Sequence, residues 1–302
     1  MQYSVFESFC SELGLDVKRN EPMCKHTSFK TGGAADIFIN IGCASVLSTL
    51  LETAKALCVP VTVIGKGSNL LVSDRGIEGA VINLSDMDEI SVEEDTITAG
   101  AGASLSALCV AAANAGLSGL EFAYGIPGSV GGALYMNAGA YGGEISQVAV
   151  SAEYVTLSGQ TGIIEKKDMQ LGYRTSIFKT AGDIIITKAV FRLKKGDSKE
   201  IWNKMNEYME KRKLSQPLEF PSAGSTFKRP KGHFAGTLIE QNNLKGVSVG
   251  GAAVSQKHAG FIINTGGATT DDILKLIELV KSTVQKNNGV LLEPEVIFVG
   301  RN

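Results

Sequence analysis

Gly125-Ile126-Pro127-Gly128-Ser129-Val130-Gly131-Gly132-Ala133-Leu134-Tyr135-Met136-Asn137-Ala138-Gly139-Ala140-Tyr141-Gly142-Gly143 is dense in glycine without being low in complexity. Glycines at this density let the backbone reach positive φ and bring its N–H groups close to a ligand with no Cβ between. Pro127 stiffens the turn and holds the residue before it extended, so the loop is preformed. The stretch reads as a stiff, apolar-lined wall suited to a large, flat, phosphate-bearing cofactor. A single Gly-Xaa-Gly would read as a buried turn; the length of this run favours the ligand.

Outward from this wall, short strands alternate with amphipathic helices. Ile37-Phe38-Ile39 reads as a strand after the polar turn His26–Asp36, and Val46, Leu47, Leu50, Leu51, Ala54 and Leu57 recur with a helical period. Pro60–Ile64 is rich in β-formers and stops at Gly65-Lys66-Gly67-Ser68-Asn69, after which Leu70-Leu71-Val72 resumes extended character. Strand, glycine loop, strand is not the strand–glycine–helix order of a dinucleotide-binding βαβ unit. The loop offers consecutive N–H groups as a nest for a pyrophosphate. Gly100-Ala101-Gly102-Ala103-Ser104 also imitates a dinucleotide fingerprint, with Glu121 further on, but Leu105 stands where the third glycine belongs. We read it as a chance match. No Gly-Xaa4-Gly-Lys-Ser/Thr occurs, which argues against a nucleotide triphosphatase.

Ser104 is placed to cap a helix through Leu105, Leu108, Ala112 and Ala113 that ends at Gly116. Val150–Val155 and Ile184–Phe191 read as strands. Lys194-Lys195-Gly196-Asp197-Ser198 reads as a linker into a charged helix with Ile201, Met205, Tyr208 and Met209 on one side. A second helix starts near Thr270, with Asp271 and Asp272 favourable to its N-terminal dipole, and stops at Gly289. Val290–Gly300 reads as a closing strand that holds Glu295 among apolar residues. The expectation is an α+β protein. A glycine-rich cofactor region spans 1–195, in two α+β subdomains with a boundary near 85. A smaller α+β substrate domain follows at 196–302, its last strand returning to the active site.

Composition narrows the function. Glycine is enriched, 35 of 302 residues, well above the ordinary ~7%. A net charge of −2 gives no electrostatic footprint for nucleic acid or an anionic membrane. No apolar run approaches the roughly 20 residues that span a bilayer, and the N-terminus lacks the pattern of a signal peptide. Five scattered cysteines without a Cys-Xaa-Xaa-Cys pair fit reduced thiols, and three histidines show no metal-ligand spacing. A cytoplasmic protein without a metal centre is expected.

Three patches present polar groups in unusual settings: Gly172-Tyr173-Arg174, Ala223-Gly224-Ser225-Thr226-Phe227-Lys228, and Glu293-Pro294-Glu295-Val296. An arginine can neutralise a developing enolate or carboxylate. A hydroxyl can deliver a proton when a neighbour absorbs the charge, and a buried acid can orient or polarise that group. Each alone has a bland reading: a surface pair for Arg174, a turn hydroxyl for Ser225, a solvated strand residue for Glu295.

Together with Gly65-Lys66-Gly67-Ser68-Asn69-Leu70-Leu71, Gly125–Gly132 and Asn137-Ala138-Gly139-Ala140-Tyr141-Gly142, these patches resemble the UDP-N-acetylenolpyruvoylglucosamine reductase family. The likeness covers nearly the whole chain, from His26-Thr27-Ser28-Phe29 onward. It implies a two-subdomain FAD-binding fold like that of the vanillyl-alcohol-oxidase flavoproteins, plus a substrate domain. It further implies non-covalent FAD held by Gly65, Lys66, Gly67, Ser68, Asn69 and Leu70, by Gly125, Ile126, Pro127, Gly128, Ser129, Gly131 and Gly132, and by Asn137, Ala138, Gly139 and Ala140. The positions matching Arg174, Ser225 and Glu295 are catalytic in the family, and Tyr173 and Lys228 would contact substrate.

The implied reaction belongs to peptidoglycan precursor synthesis. NADPH delivers hydride to flavin N5, which passes it to the β-carbon of UDP-N-acetylglucosamine enolpyruvate. Arg174 and Glu295 stabilise the enolate-like intermediate, and Ser225 protonates the α-carbon to give UDP-N-acetylmuramate. After Phe178-Lys179 the chain runs straight through Thr180-Ala181-Gly182-Asp183 into a strand, so the branch lacking a tyrosine-bearing insertion is expected. Arg229 stands where the other branch has asparagine. The alternatives are another FAD-linked oxidase on the same scaffold, or a nucleotide-sugar sensor without catalysis.

Overall fold

In a computed structural model that describes residues Gln2–Arg301, the chain divides into two compact units. The first takes the residues up to Arg19, then Ile37–Lys66 and Gly79–Lys211. The second takes Asn20–Asp36, Gly67–Glu78 and the residues from Arg212 onward. The linear reading breaks the chain at 195, and local pairing explains the difference. Lys194-Lys195 is no linker: it pairs antiparallel with Leu117-Ser118, and the Gly196 N–H donates to the Gly116 carbonyl. The helix Ser198–Ser215 then buries Ile201 and Met205 in the first unit's core.

A five-stranded antiparallel sheet organises the first unit, in the order Thr161–Glu165, Ala149–Thr156, Ile184–Arg192, Thr96–Gly100, Ile90–Glu93. Ala152, Ala189 and Ala99 face one another across three of its strands and are fully buried. Short side chains there let the helix Val130–Tyr135 pack closely on the sheet. A four-stranded sheet, ordered Val17–Pro22, Ala34–Asn40, Ile77–Asn83, Val61–Ile64, ends in a parallel pair with Val61 opposite Ala80. The helix Ala44–Ala56 buries Leu47, Leu50, Leu51 and Ala54, the expected periodic face. Ser104 caps Leu105–Asn114 by accepting from the Ala107 N–H at 3.1 Å.

In the second unit, Ser248–Val249, Ala252–Val254 and Ile262–Asn264 form an antiparallel sheet packed on the helix Thr270–Asn288. Thr269 and Asp272 make a reciprocal capping box, and Asp74 accepts from the Thr270 and Asp271 N–H groups, both at 2.9 Å. Ile273, Leu276, Ile277, Val280 and Val284 form the buried stripe, and Gly289 at φ 70° closes the helix. The expected strand Val290–Gly300 shrinks to Ile297–Val299, which runs parallel to Leu70–Val72. Pro294 has no N–H to give a ladder, so the preceding segment pairs only at one bridge, Phe227 with Pro294. Among the described residues no helix is long and apolar enough to cross a membrane, and no cluster of His, Cys, Asp and Glu could hold a metal ion.

Candidate functional site

The glycine stretch is half loop and half helix. Gly125–Gly128 forms the loop, Ser129 is the N-cap, and its hydroxyl accepts from the Gly132 N–H at 3.3 Å. Val130 and Gly131 give their N–H groups to the Ala103 and Ala101 carbonyls at 2.9 and 2.8 Å. A Cβ on Gly131 would sit 2.9 Å from that of Ala101, so this glycine serves close backbone packing. The amides at the helix start are therefore spent on protein, and a ligand is left with the loop before it. Gly65 packs on the same point: a Cβ there would lie 2.3 Å from Ser129 Oγ. Two motifs some sixty residues apart thus meet at one serine.

The next motif forms a clamp. Asn137 is buried at φ 42°; its Nδ2 donates to the Gly172 carbonyl at 3.0 Å and its Oδ1 accepts from the Ser146 N–H at 2.8 Å. Ser176 Oγ donates to the Tyr135 carbonyl at 2.7 Å. These bonds set the Gly172–Thr175 turn beside Asn137–Ala140. Half-buried Arg174 lies there at φ 55°, with a guanidinium nitrogen 3.4 Å from the Gly139 carbonyl. Its guanidinium lies 5.2 Å from the ring centre of exposed Tyr173, and Lys179 Nζ donates to the Arg174 carbonyl at 3.2 Å. Arg174, Tyr173 and the Asn137 motif are brought together in the first unit, as are Gly65 and Ser129.

The second unit brings together Ser225, Lys228 and Glu295. The Glu295 N–H donates to the Thr226 carbonyl at 2.8 Å, and the Lys228 N–H to the Glu293 carbonyl at 2.9 Å, so the two segments form a ribbon. Ser225 is exposed at its start, with Oγ 3.4 Å from the Phe227 carbonyl. Glu295 is half-buried rather than buried; its segment is tied to Thr226 and to Asn69, whose Nδ2 donates to the Glu295 carbonyl at 3.2 Å. Lys228 Nζ pairs with Glu293 at 3.0 Å. Behind the ribbon, His258 Nδ1 accepts from the Gly260 N–H at 3.1 Å, and Gly260 packs toward Ser225 Oγ. Burial lowers the His258 pKa below its ordinary value.

Whether these residues suit FAD is answered by the loop Gly65–Asn69. Gly65 and Lys66 lie in the first unit, and Gly67, Ser68 and Asn69 in the second. Gly67 is buried at φ 60°, pressed on the His26 carbonyl, where any side chain would collide. Among the described residues, no protein group accepts from the N–H of Gly67, Ser68 or Asn69. A buried backbone donor needs an acceptor, and a phosphate oxygen supplies one. The loop fits a pyrophosphate. Gly100–Ser104 does not: Ala101 and Gly102 donate to the Thr187 and Met87 carbonyls, and Cβ atoms on Gly100 and Gly102 would strike neighbouring backbone.

Two family profiles match the chain. Residues 35–163 match the profile of an FAD binding domain, and residues 216–299 that of the C-terminal domain of UDP-N-acetylenolpyruvoylglucosamine reductase. The reductase of Agathobacter rectalis is 51% identical over 302 residues, covering 96% of this chain and 95% of that protein. That of Clostridium tetani is 48% identical over 287 residues, covering 95% and 93%. The crystal structure of the Thermus caldophilus reductase superposes with a TM-score of 0.80 at 34% identity, over 94% of this chain and 98% of that one.

Proposed function

Because the chain belongs to the UDP-N-acetylenolpyruvoylglucosamine reductase family and carries an FAD-binding domain, we propose that it reduces UDP-N-acetylglucosamine enolpyruvate to UDP-N-acetylmuramate with NADPH as reductant. The observation that carries the proposal is the ribbon in the second unit that sets an exposed serine hydroxyl, Ser225, and an acid, Glu295, on paired segments. Gly65–Leu70, the loop Gly125–Ser129 and Asn137–Ala140 would hold FAD, while Gly131 and Gly132, whose N–H groups are given to the Ala101 carbonyl and the Ser129 hydroxyl, would shape the helix behind that loop rather than touch the cofactor. When bound, FAD supplies the hydride chemistry, taking two electrons from NADPH and giving them to the substrate double bond.

The remaining work falls to side chains. Addition of hydride at the β-carbon leaves negative charge spread from the α-carbon onto the adjoining carboxylate. Arg174, permanently charged and planar, neutralises that charge. Its backbone is held by the Gly172–Thr175 turn, which supports this role. Glu295 would stabilise the same intermediate together with Arg174. Ser225 Oγ releases its proton to the α-carbon, completing the addition of H– and H+ across the double bond, and regains one from solvent at its exposed position. Lys228 and Tyr173 contact the substrate.

An anaerobic titration in two steps tests this reading. Purified protein should be yellow, lose its flavin absorbance on adding NADPH, and regain it on adding the enolpyruvyl substrate. Bleaching with no recovery on substrate would refute the reaction, and recovery only with oxygen would identify an oxidase.

A further inference from the structure

In the second unit, Phe234 keeps 60% of its surface exposed, although an apolar ring gains by burial. The Arg229 guanidinium lies over it, 4.5 Å from the ring centre. Between them runs Arg229-Pro230-Lys231-Gly232-His233, a segment that follows Lys228 and contains no acid. The backbone is held at both ends and in the middle. Lys228 donates to the Glu293 carbonyl, His233 to the Pro230 carbonyl at 3.1 Å, and the Phe234 carbonyl accepts from Leu238 at 3.1 Å. The ring is therefore presented from a fixed backbone.

An exposed aromatic face beside cations matches one chemical class well. A nucleotide offers a flat base to the ring and phosphates to the cations, and stacking of a base on an aromatic side chain is a strong contribution to such binding. The same ribbon that carries Ser225 leads into this segment. Arg229 follows Ser225 by four residues, a separation of at most about 14 Å at full extension. In the proposed substrate the sugar and diphosphate separate the reacting ether from the base, so the base must be received some way beyond the proton donor. We infer that Phe234 is the stacking platform for the base of the nucleotide-sugar substrate, with Arg229 fixing the ring from one side. The inference rests on the reductase reading and adds the group that recognises the nucleotide.

The test is Phe234→Ala in the flavin-loaded, full-length protein, with Phe234→Tyr as the conservative control. Because the ring is mostly exposed, flavin content and the urea midpoint should match the parent. The KM for the enolpyruvyl nucleotide should rise between about fivefold and a hundredfold. Meanwhile kcat and flavin bleaching by NADPH should stay as in the parent, and the tyrosine variant should recover the parent KM. Uridine diphosphate alone, measured by calorimetry, should bind the alanine variant more weakly by a similar factor. N-acetylglucosamine 1-phosphate, which lacks the base, should bind both proteins alike. An unchanged KM and unchanged uridine diphosphate affinity would overturn the assignment while leaving the reductase reading intact. Loss of flavin, or a selective defect with NADPH, would overturn it in favour of another nucleotide on the ring. A parent protein that binds uridine diphosphate through Phe234 yet never consumes the substrate would refute the reductase reading instead.

Discussion

Replacing Gly65 by alanine tests whether the two glycine motifs of the first unit interlock. Gly65 has no positive φ, so the substitution brings no backbone strain of its own. Its Cβ would fall 2.3 Å from Ser129 Oγ and 3.2 Å from Ser129 Cβ. The hydroxyl must swing away, and in doing so it gives up the Gly132 N–H that it caps. Loss of such a cap costs about 0.5–2 kcal/mol, and Ser129 is only 3% exposed, so water cannot restore the bond. Gly65→Ala should therefore destabilise by roughly 1–2 kcal/mol, and Ser129→Ala by about 1 kcal/mol. In Gly65→Ala/Ser129→Ala the offending oxygen is gone, leaving only the tighter Cβ contact. The double variant should cost about as much as Ser129→Ala alone, a coupling of roughly 1–2 kcal/mol. Urea midpoints of the four proteins, read by circular dichroism, measure it. Strictly additive effects would show that the two motifs do not touch through this hydroxyl.

Ser225→Ala should leave flavin bleaching by NADPH nearly unchanged while slowing reoxidation by substrate roughly 10²-fold or more; equal slowing of both steps, in stopped flow, would make the serine structural. Gly128→Val should abolish FAD retention, since Gly128 sits at φ 149° and a β-branched residue is costly there; a normal flavin-to-protein ratio would refute the cradle. His258 has a pKa pushed down by burial, and its Nδ1 accepts from Gly260, so the folded protein holds it neutral. The unfolded chain then binds the extra proton first. The contribution is complete above about pH 6.5 and is lost as pH falls toward the lowered folded value. Urea midpoints of the parent and His258→Gln should converge on acidification; a constant gap from pH 7.5 to 5 would contradict this.

Much of the fold was legible because its signals are local. The period of Val46–Leu57, the Ser104 cap and the Asp-rich start at Thr270 each depend on neighbours a few residues away, and each became the expected helix. The helix Val130–Tyr135 has no local signal because glycine disfavours helix, and packing on the sheet overrides that preference. Lys194-Lys195 looked like a linker because its partner strand is Leu117-Ser118, far back in the sequence. Apolar neighbours alone suggest a buried Glu295, yet burial depends on what covers a strand, and the residue is half-buried. Among site residues, the Tyr173-Arg174 pair and the Ser225 patch could be found as polar groups beside glycine. The contact between Gly65 and Ser129 could not, since nothing local records which distant hydroxyl a glycine makes room for.

The two units are each assembled from three separate pieces of chain, and the polypeptide passes between them five times. No cut in the sequence releases either unit whole, so limited proteolysis or expression of a half would yield fragments lacking parts of both. On the ribosome the consequence is a delay. Residues Asn20–Asp36 and Gly67–Glu78 emerge early but belong with the segment from Arg212 onward. At ordinary elongation rates they wait roughly 7–35 s before that segment begins to appear. Gly67 and its unclaimed amide spend that interval without the fold that shapes them, so ribosome-bound chains stalled before Arg212 should not retain flavin.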